Sequence, residues 1–388
     1  MNCNSHLKIL IVHNDYGRYS GEEAVVDSMG RMFADRGHEV AFYRCSTAGR
    51  RNKLGDELSA FFSGVCSPSG IKGMREALLH ERPDVVNVHN LFPFISPAAL
   101  FECRKEGVPV VMTVHNYRLM CPTGLFMRRG RPCEQCLSRG NEWGCVWHNC
   151  EQSVPKSVAY ALRNAVARRS GAYRKCVDRY ACLTHFQRQK LIEAGFEAEK
   201  ITVIPNSVEV NADTEPATGH YVGYLGRLSY EKGYDMLLEV ARRQPHVEFR
   251  FAGTLREDGV EPLPSNVRFM GYLRGHSLQQ FIHDSRFMVM PSRCYEGFPM
   301  AILEAARQMK PVVAPRHGAF TEIVGQGSEA MGRLFEPGQV DSLQREVMAL
   351  WDSRQLVADL GSKAYSRVKQ EYSTDSVLSK WEMLLSSL

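Results

Sequence analysis

The sequence predicts an α/β chain of two domains, each a parallel β-sheet wound with helices on both faces. Short β-rich apolar runs alternate with segments of helical spacing, and the alternation runs through the chain twice. Between the two runs lies a polar stretch, Asn211–Gly219, that carries Pro216 and reads as a linker. The length, 388 residues, exceeds one ordinary domain.

Residues 7–13, Leu-Lys-Ile-Leu-Ile-Val-His, have the composition of a strand buried on both faces. Asn14–Gly21 is polar and glycine-containing. Glu22–Arg36 places Ala24, Val25, Met29, Met32 and Phe33 at helical spacing, and Gly37 stops the helix. His38–Cys45 is the second strand, Ile71–His80 is helical, and Pro83–His89 is the third strand. A helix over 96–106 ends at Gly107, and Val108–His115 is the fourth strand. The alternation breaks at Tyr117–Cys150, a cysteine-rich insertion. It resumes with a long helix (about 153–176), a strand at Arg179–Leu183, a helix over 185–194 and a strand at Ile201–Ile204. The second run has strands at Tyr221–Gly226, 247–252, 267–270, 287–290, 311–314 and about 332–335. Over 373–388, Val377, Leu378, Trp381, Leu384 and Leu385 again have helical spacing. The expected domains are therefore 1–210, with the insertion at 117–150, and 219–372, followed by a C-terminal helix over 373–388.

Hydrophobic content of 44% and charged content of 23% are those of a globular chain with ample core. No apolar run approaches the ~18 residues a membrane helix needs. Leu7–Val12 is broken by Lys8 and is no secretory signal, so a cytoplasmic protein is expected. In that compartment twelve cysteines read as free thiols or metal ligands before disulfides. A net charge of +5 decides nothing about partners.

The chain's chemistry centres on Arg293–Ala305. This stretch follows the strand Phe287–Met290 and the turn Pro291-Ser292. Pro299 suits the first position of a helix. Glu296 then lies in the loop and Glu304 in the second turn. A helix start presents free N–H groups and a positive dipole end, a seat for phosphate. Two carboxylates flanking an anion site suit a nucleotide-sugar, with hydroxyls at both ends of a diphosphate. The plain alternative is a loop glutamate and a surface helix glutamate.

Glu-x7-Glu after a Pro-Ser turn, with Glu296-Gly297-Phe298-Pro299, resembles the signature of retaining GT-B glycosyltransferases of family 4. The resemblance covers nearly the whole chain and is densest over 220–335. It implies two Rossmann-like domains facing a cleft, the N-terminal one for the acceptor and the C-terminal one for the sugar donor. It also implies that the last helix packs back toward the N-terminal domain. Gly226-Arg227-Leu228-Ser229-Tyr230-Glu231-Lys232-Gly233 lies where a strand gives way to a helix. There Arg227, with its planar fork, and Lys232, as a point charge, are placed to hold a diphosphate. In the family this pair offsets leaving-group charge without a metal, so no catalytic cofactor is expected. Glu296 binds the sugar's hydroxyls and Glu304 the ribose, while Gly297, Phe298 and Pro299 complete the donor-binding turn.

His115, ending the fourth strand, matches the family's histidine near the transferred sugar, with a positioning role. Ser20-Gly21-Glu22-Glu23 matches the glycine-rich first loop, with Ser20 replacing one glycine. Gly21 still permits close backbone approach. His317–Val324 resembles a Gly-Gly-x-x-Glu turn and Pro205-Asn206 the turn closing the first domain.

Cys121, Cys133, Cys136, Cys145 and Cys150 fall within thirty residues. Cys-x2-Cys followed by Cys-x4-Cys is within the range of structural zinc sites, with His148 as a further ligand choice. Five cysteines for four positions leave one spare, and a loop of reduced thiols fits the same pattern. The basic stretch over 156–179 reads either as a water-facing helix or as a contact with anionic lipid headgroups, which a lipid-linked acceptor would require.

The resulting expectation is a retaining, metal-independent hexosyltransferase. It takes a nucleotide-diphosphate sugar to a glycan or lipid-linked glycan in cell-envelope polysaccharide synthesis, on the inner face of the membrane. Other GT-B chemistry, an epimerase or a phosphorylase, is the enzymatic alternative. A zinc-containing nucleic-acid binder is the non-enzymatic one, against which the confinement of the cations to one segment speaks.

Overall fold

A computed structural model of the chain describes residues 6–16, 20–46, 64–210, 219–254 and 263–388. Most of the expected linker, residues 211–218, lies outside the described residues. The strands are β1 (Lys8–Asp15), β2 (Glu39–Ser46), β3 (Val85–Asn90), β4 (Val110–Val114), β5 (Met127–Arg128), β6 (Arg131–Pro132) and β7 (Arg179–Cys182). They continue as β8 (Ile201–Val203), β9 (Tyr221–Leu225), β10 (Phe249–Ala252), β11 (Val267–Gly271), β12 (Ser285–Val289), β13 (Val312–Pro315) and β14 (Gly332–Phe335). Each of the twelve strands expected outside the insertion is present, with ends shifted by a few residues.

The chain divides into two compact units. The first comprises Met1–Gly124, Glu134–Pro205 and Leu378–Leu388, and the second Leu125–Cys133 and Asn206–Val377. In the first, a parallel sheet runs in the order β2-β1-β3-β4-β7-β8. β3 and β4 are buried along their whole length, as their Val-rich sequences require of strands covered on both faces. Leu378–Leu388 adds Trp381, which is buried and meets Phe33 edge-to-face at 5.6 Å. Arg36 pairs with Glu382 at 2.8 Å beside it.

In the second unit the order is β11-β10-β9-β12-β13-β14, again parallel. Val222, Phe249, Phe251, Phe287 and Val313 form its core with the helices over them. Each sheet reverses its winding once, between β1 and β3 in the first unit and between β9 and β12 in the second. Outside the carboxyl ends of such strand pairs the loops diverge and leave a crevice for ligands.

The structure corrects the sequence reading at one helix. The long helix expected over about 153–176 is two helices, Val154–Ser170 and Ala172–Cys176. Gly171 separates them in the left-handed conformation, φ 73°, and its amide caps the Arg168 carbonyl. The insertion itself forms the β5–β6 hairpin and two short helices, Gln135–Ser138 and Trp143–Trp147.

Candidate functional site

In the second unit the strands flanking the reversal deliver the two motifs. β9 runs into Gly226–Gly233, and β12 runs through Pro291-Ser292 into Glu296–Pro299. The loops are locked together by close backbone approach. Gly233 has φ 69°, and a Cβ there would fall 1.9 Å from the Pro291 carbonyl oxygen, so only glycine fits. The Arg293 amide donates to the Glu231 carbonyl at 2.9 Å. Its guanidinium donates to the Tyr230 carbonyl at 2.8 Å and binds both oxygens of Asp235 at 2.5 and 2.7 Å.

This fixes the charged groups. Lys232 Nζ lies 2.7 Å from Glu296 Oε2, and the Ser292 hydroxyl donates to the other oxygen of Glu296. Burial works to raise the Glu296 pKa. The adjacent Lys232 charge and the hydrogen bonds from Lys232 and Ser292 overcome it and hold the carboxyl below its ordinary value. Burial likewise opposes the charge on Lys232, yet Glu296 holds its pKa above the ordinary value. Arg227 is more exposed and pairs with Glu231 at 3.3 Å, while the Tyr224 hydroxyl donates to the Arg227 carbonyl at 2.6 Å. Buried Cys294 sits near the pair, its thiol pushed up to about 12 by burial and then by Glu296.

Glu304 occupies the second turn of helix Met300–Ala306, as expected, paired with Arg307 at 2.6 Å. Burial raises its pKa against the pull of Arg307. Pro299 is the N-cap (φ −77°), one residue earlier than the sequence placed it, and the helix has only seven residues. Its dipole is correspondingly small, and the fixed charge at this site comes from the side chains. Gly297 is buried, and Phe298 packs on Tyr372, their rings 5.9 Å apart. Both therefore hold the turn's shape.

In the first unit three strand ends carry histidines: His13 on β1, His89 on β3 and His115 just after β4. His89 Nδ1 and His115 Nε2 are 2.7 Å apart and the rings stack at 5.0 Å. His13 is fully buried and meets His89 edge-on at 6.3 Å. Burial depresses His115 to about 4, and burial, opposed by Glu22, depresses His13 to about 4. All are neutral imidazoles near pH 7, able to give and take hydrogen bonds but carrying no charge. His89, Thr113, His115, Asn116 and Arg118 line one small cleft. Ser20 caps helix Gly21–Asp35 in a capping box with Glu23, which explains the serine. Among the described residues nothing stands within 4 Å of a Cβ built on Gly21, so none of them demands glycine there by packing.

Cys121 and Cys145 are buried, Cys133, Cys136 and Cys150 are half-buried, and none is in a disulfide. The Cys145 thiol is raised by its hydrogen bond with Cys150, by burial, and by Cys136 and Cys121 nearby. Among the described residues, the ligand atoms drawn within 4.8 Å of one another in a group of three are those of His13, Asp15 and Glu23. Glu23 is already spent on the amides of Tyr16 and Ser20 at 3.2 and 2.5 Å. Among the described residues no three of the thiols fall within that spacing.

Sequence reasoning missed Asp235, Ser292 and Arg293, which fix the pair, and His13 and His89, which join His115. The signal for the histidines was present, since each ends a strand of one parallel sheet.

The family described as "Glycosyl transferases group 1" matches residues 208–367, and "Glycosyltransferase Family 4" matches residues 19–212. An uncharacterized 42.6 kDa protein in the cps region of Klebsiella pneumoniae is 29% identical over 260 residues, 65% of this chain and 62% of that protein. The poly(ribitol-phosphate) alpha-N-acetylglucosaminyltransferase of Staphylococcus aureus is 29% identical over 60% of this chain. The chain spans 47% of that enzyme's length. The crystal structure of Anabaena Alr3699/HepE in complex with UDP and glucose aligns over 99% of this chain and 100% of its own, with a TM-score of 0.68 at 18% identity.

Proposed function

The chain belongs to glycosyltransferase family 4, and from that premise we propose that it is a retaining, metal-independent transferase. It moves a hexose from a nucleotide-diphosphate sugar to a sugar hydroxyl. The acceptor is a polysaccharide or lipid-linked glycan of the cell envelope, met at the cytoplasmic face of the membrane. The observation that carries the reading is the Lys232–Glu296 pair at 2.7 Å, held at the winding reversal of a nucleotide-binding type of sheet. The names of two similar proteins support it: one transfers N-acetylglucosamine to a poly(ribitol-phosphate), and one was solved with UDP and glucose.

In this reading Arg227 and Lys232 hold the diphosphate and offset the charge it gains as it leaves, the role a divalent ion would otherwise fill. Glu296, kept ionised by Lys232, accepts hydrogen bonds from the sugar's hydroxyls, and Glu304 from the ribose. Neutral His115 orients the transferred sugar. The acceptor hydroxyl attacks the anomeric carbon on the face the diphosphate vacates. One C–O bond forms as the other breaks, and the hydroxyl proton passes to the departing phosphate oxygen. No side chain is assigned as a nucleophile.

The insertion is proposed to bind one structural zinc through four of Cys121, Cys133, Cys136, Cys145 and Cys150. The nearness of Cys121, Cys136 and Cys150 to Cys145 supports this.

The donor assignment is tested by calorimetry with nucleoside diphosphates. Arg227→Ala with Lys232→Ala should weaken binding by more than a hundredfold, as loss of two charge-assisted contacts implies. Unchanged affinity removes the phosphate role. A thermal-stabilisation screen of nucleotide-sugars on the parent then names the base and sugar.

A further inference from the structure

Helix Val154–Ser170 is built inside out. Its buried residues include Ser157, Arg163 and Asn164 beside Ala161 and Ala167. Its outward face carries Val154, Val158 and Leu162, one turn apart, at 56%, 41% and 41% exposure. The inward polar groups are all used. Arg163 donates to the Pro122 carbonyl at 2.7 Å, Asn164 to the Arg118 carbonyl at 2.5 Å, and the Ser157 hydroxyl to Asn149 Oδ1 at 3.0 Å. That polar face anchors the insertion. The aliphatic face is left to the outside.

Helix Trp143–Trp147 packs against it and adds two exposed apolar side chains. Trp143 is 72% exposed and Trp147 is 87% exposed. These are two of the chain's four tryptophans. No acidic residue occurs between Ser153 and Val177, whereas Lys156, Arg168, Arg169, Arg174 and Lys175 are exposed. Arg168 is spent on Glu142, which it grips at 2.9 and 3.0 Å, and Arg174 donates to the Ala194 carbonyl. Lys156, Arg169 and Lys175 make no ion pair among the described residues.

Exposed indoles, an aliphatic stripe and surplus cations, carried by two packed helices and the segment that follows them, match the composition of a bilayer interface. Indoles sit at the headgroup level, aliphatic side chains just beneath it, and cations against the phosphates. No described helix is long and apolar enough to cross a membrane, so the contact lies in the plane of the surface. We propose that Trp143, Trp147, Val154, Val158 and Leu162, with Lys156, Arg169 and Lys175, dock the protein on an anionic phospholipid bilayer. The inference rests on the transferase reading only for its purpose, which is to meet a lipid-linked acceptor.

The test uses the full chain with vesicles of phosphatidylcholine alone and of phosphatidylcholine mixed with phosphatidylglycerol. Co-sedimentation is expected with the anionic vesicles, weakening as salt is raised. Brominated acyl chains should quench tryptophan emission. In Trp143→Ser/Trp147→Ser that quenching should vanish, while half-buried Trp351 and buried Trp381 still emit. Lys156→Gln/Arg169→Gln/Lys175→Gln should lower partitioning by roughly a hundredfold, each cation near the surface contributing about fivefold. A parent that stays in the supernatant at low salt overturns the proposal. So does vesicle binding that survives both sets of substitutions. A dimer seen in the ultracentrifuge and dissolved by the tryptophan substitutions, without vesicle binding, assigns the face to a second copy instead. Nucleoside diphosphate affinity measured on the same samples separates the two readings. If the parent binds vesicles but no nucleotide, the docking stands and the transferase reading falls.

Discussion

Lys232 and Glu296 meet at 2.7 Å although burial opposes the charge on each. Neither would hold its charge as firmly without the other. The pair therefore behaves as one unit, with a lysine oriented by a carboxylate.

Glu296→Ala should reduce transfer by roughly a hundredfold to a thousandfold, the usual cost of removing one preorganised electrostatic group. Circular dichroism should show an unchanged fold. Near-normal turnover would remove Glu296 from the site. Because its pKa is depressed in the folded state, Glu296 contributes stability above the ordinary carboxylate value of 4.5 and loses it as pH falls through the folded value. The gap in unfolding midpoint between the parent and Glu296→Gln should therefore narrow on acidification.

Gly233→Ala brings a Cβ to 1.9 Å from the Pro291 carbonyl at a residue with φ 69°. The two motif loops would have to part. Destabilisation of more than about 1 kcal/mol is expected, together with weaker nucleotide binding. A variant as stable as the parent, by chemical denaturation, would show that the loops are not held this way.

His13 is buried neutral, its pKa lowered by burial from 6.5 to about 4. Unfolding lets it take up a proton, so stability falls as pH drops from 6.5 toward 4, by on the order of 3 kcal/mol from this residue. His13→Asn should flatten that part of the stability curve. His115→Ala should lower transfer about tenfold to a hundredfold without moving any pH optimum between 6 and 8, because the imidazole is already neutral there. A rate profile whose limb near pH 7 disappears with His115 would contradict a purely positioning role.

Protein purified without a tag or chelator should contain about one zinc per chain by elemental analysis. Cys136→Ser should release it and lower the thermal midpoint, because metal binding and local folding are coupled in a small loop-rich segment. Absence of zinc in such a preparation ends the metal assignment.

Much of this molecule was legible in its sequence. The Val- and Ile-rich runs gave twelve strands because a parallel strand covered on both faces admits little polar surface, and the two motifs marked themselves as strand-to-helix loops. Gly171 was legible in kind but not in effect. The apolar spacing continues across it, while its left-handed conformation ends one helix and starts another. The inverted helix Val154–Ser170 was not legible either. Its composition has aliphatic and cationic residues in the proportions of any surface helix, and only the fold shows which side faces in.

By itself the sequence determined the alternation of elements, the residue types of the two charged loop motifs, and the cysteine pattern, since local periodicity and turn chemistry depend on near neighbours alone. Tertiary structure decided which of those residues share a site. Strand order is a long-range choice, and placing β9 beside β12 is what brings Lys232 to Glu296, just as placing β1 beside β3 and β3 beside β4 assembles three histidines from three separate strands. The electrostatics of those groups followed from that placement, because burial and a charged neighbour act through space and leave no trace in local sequence.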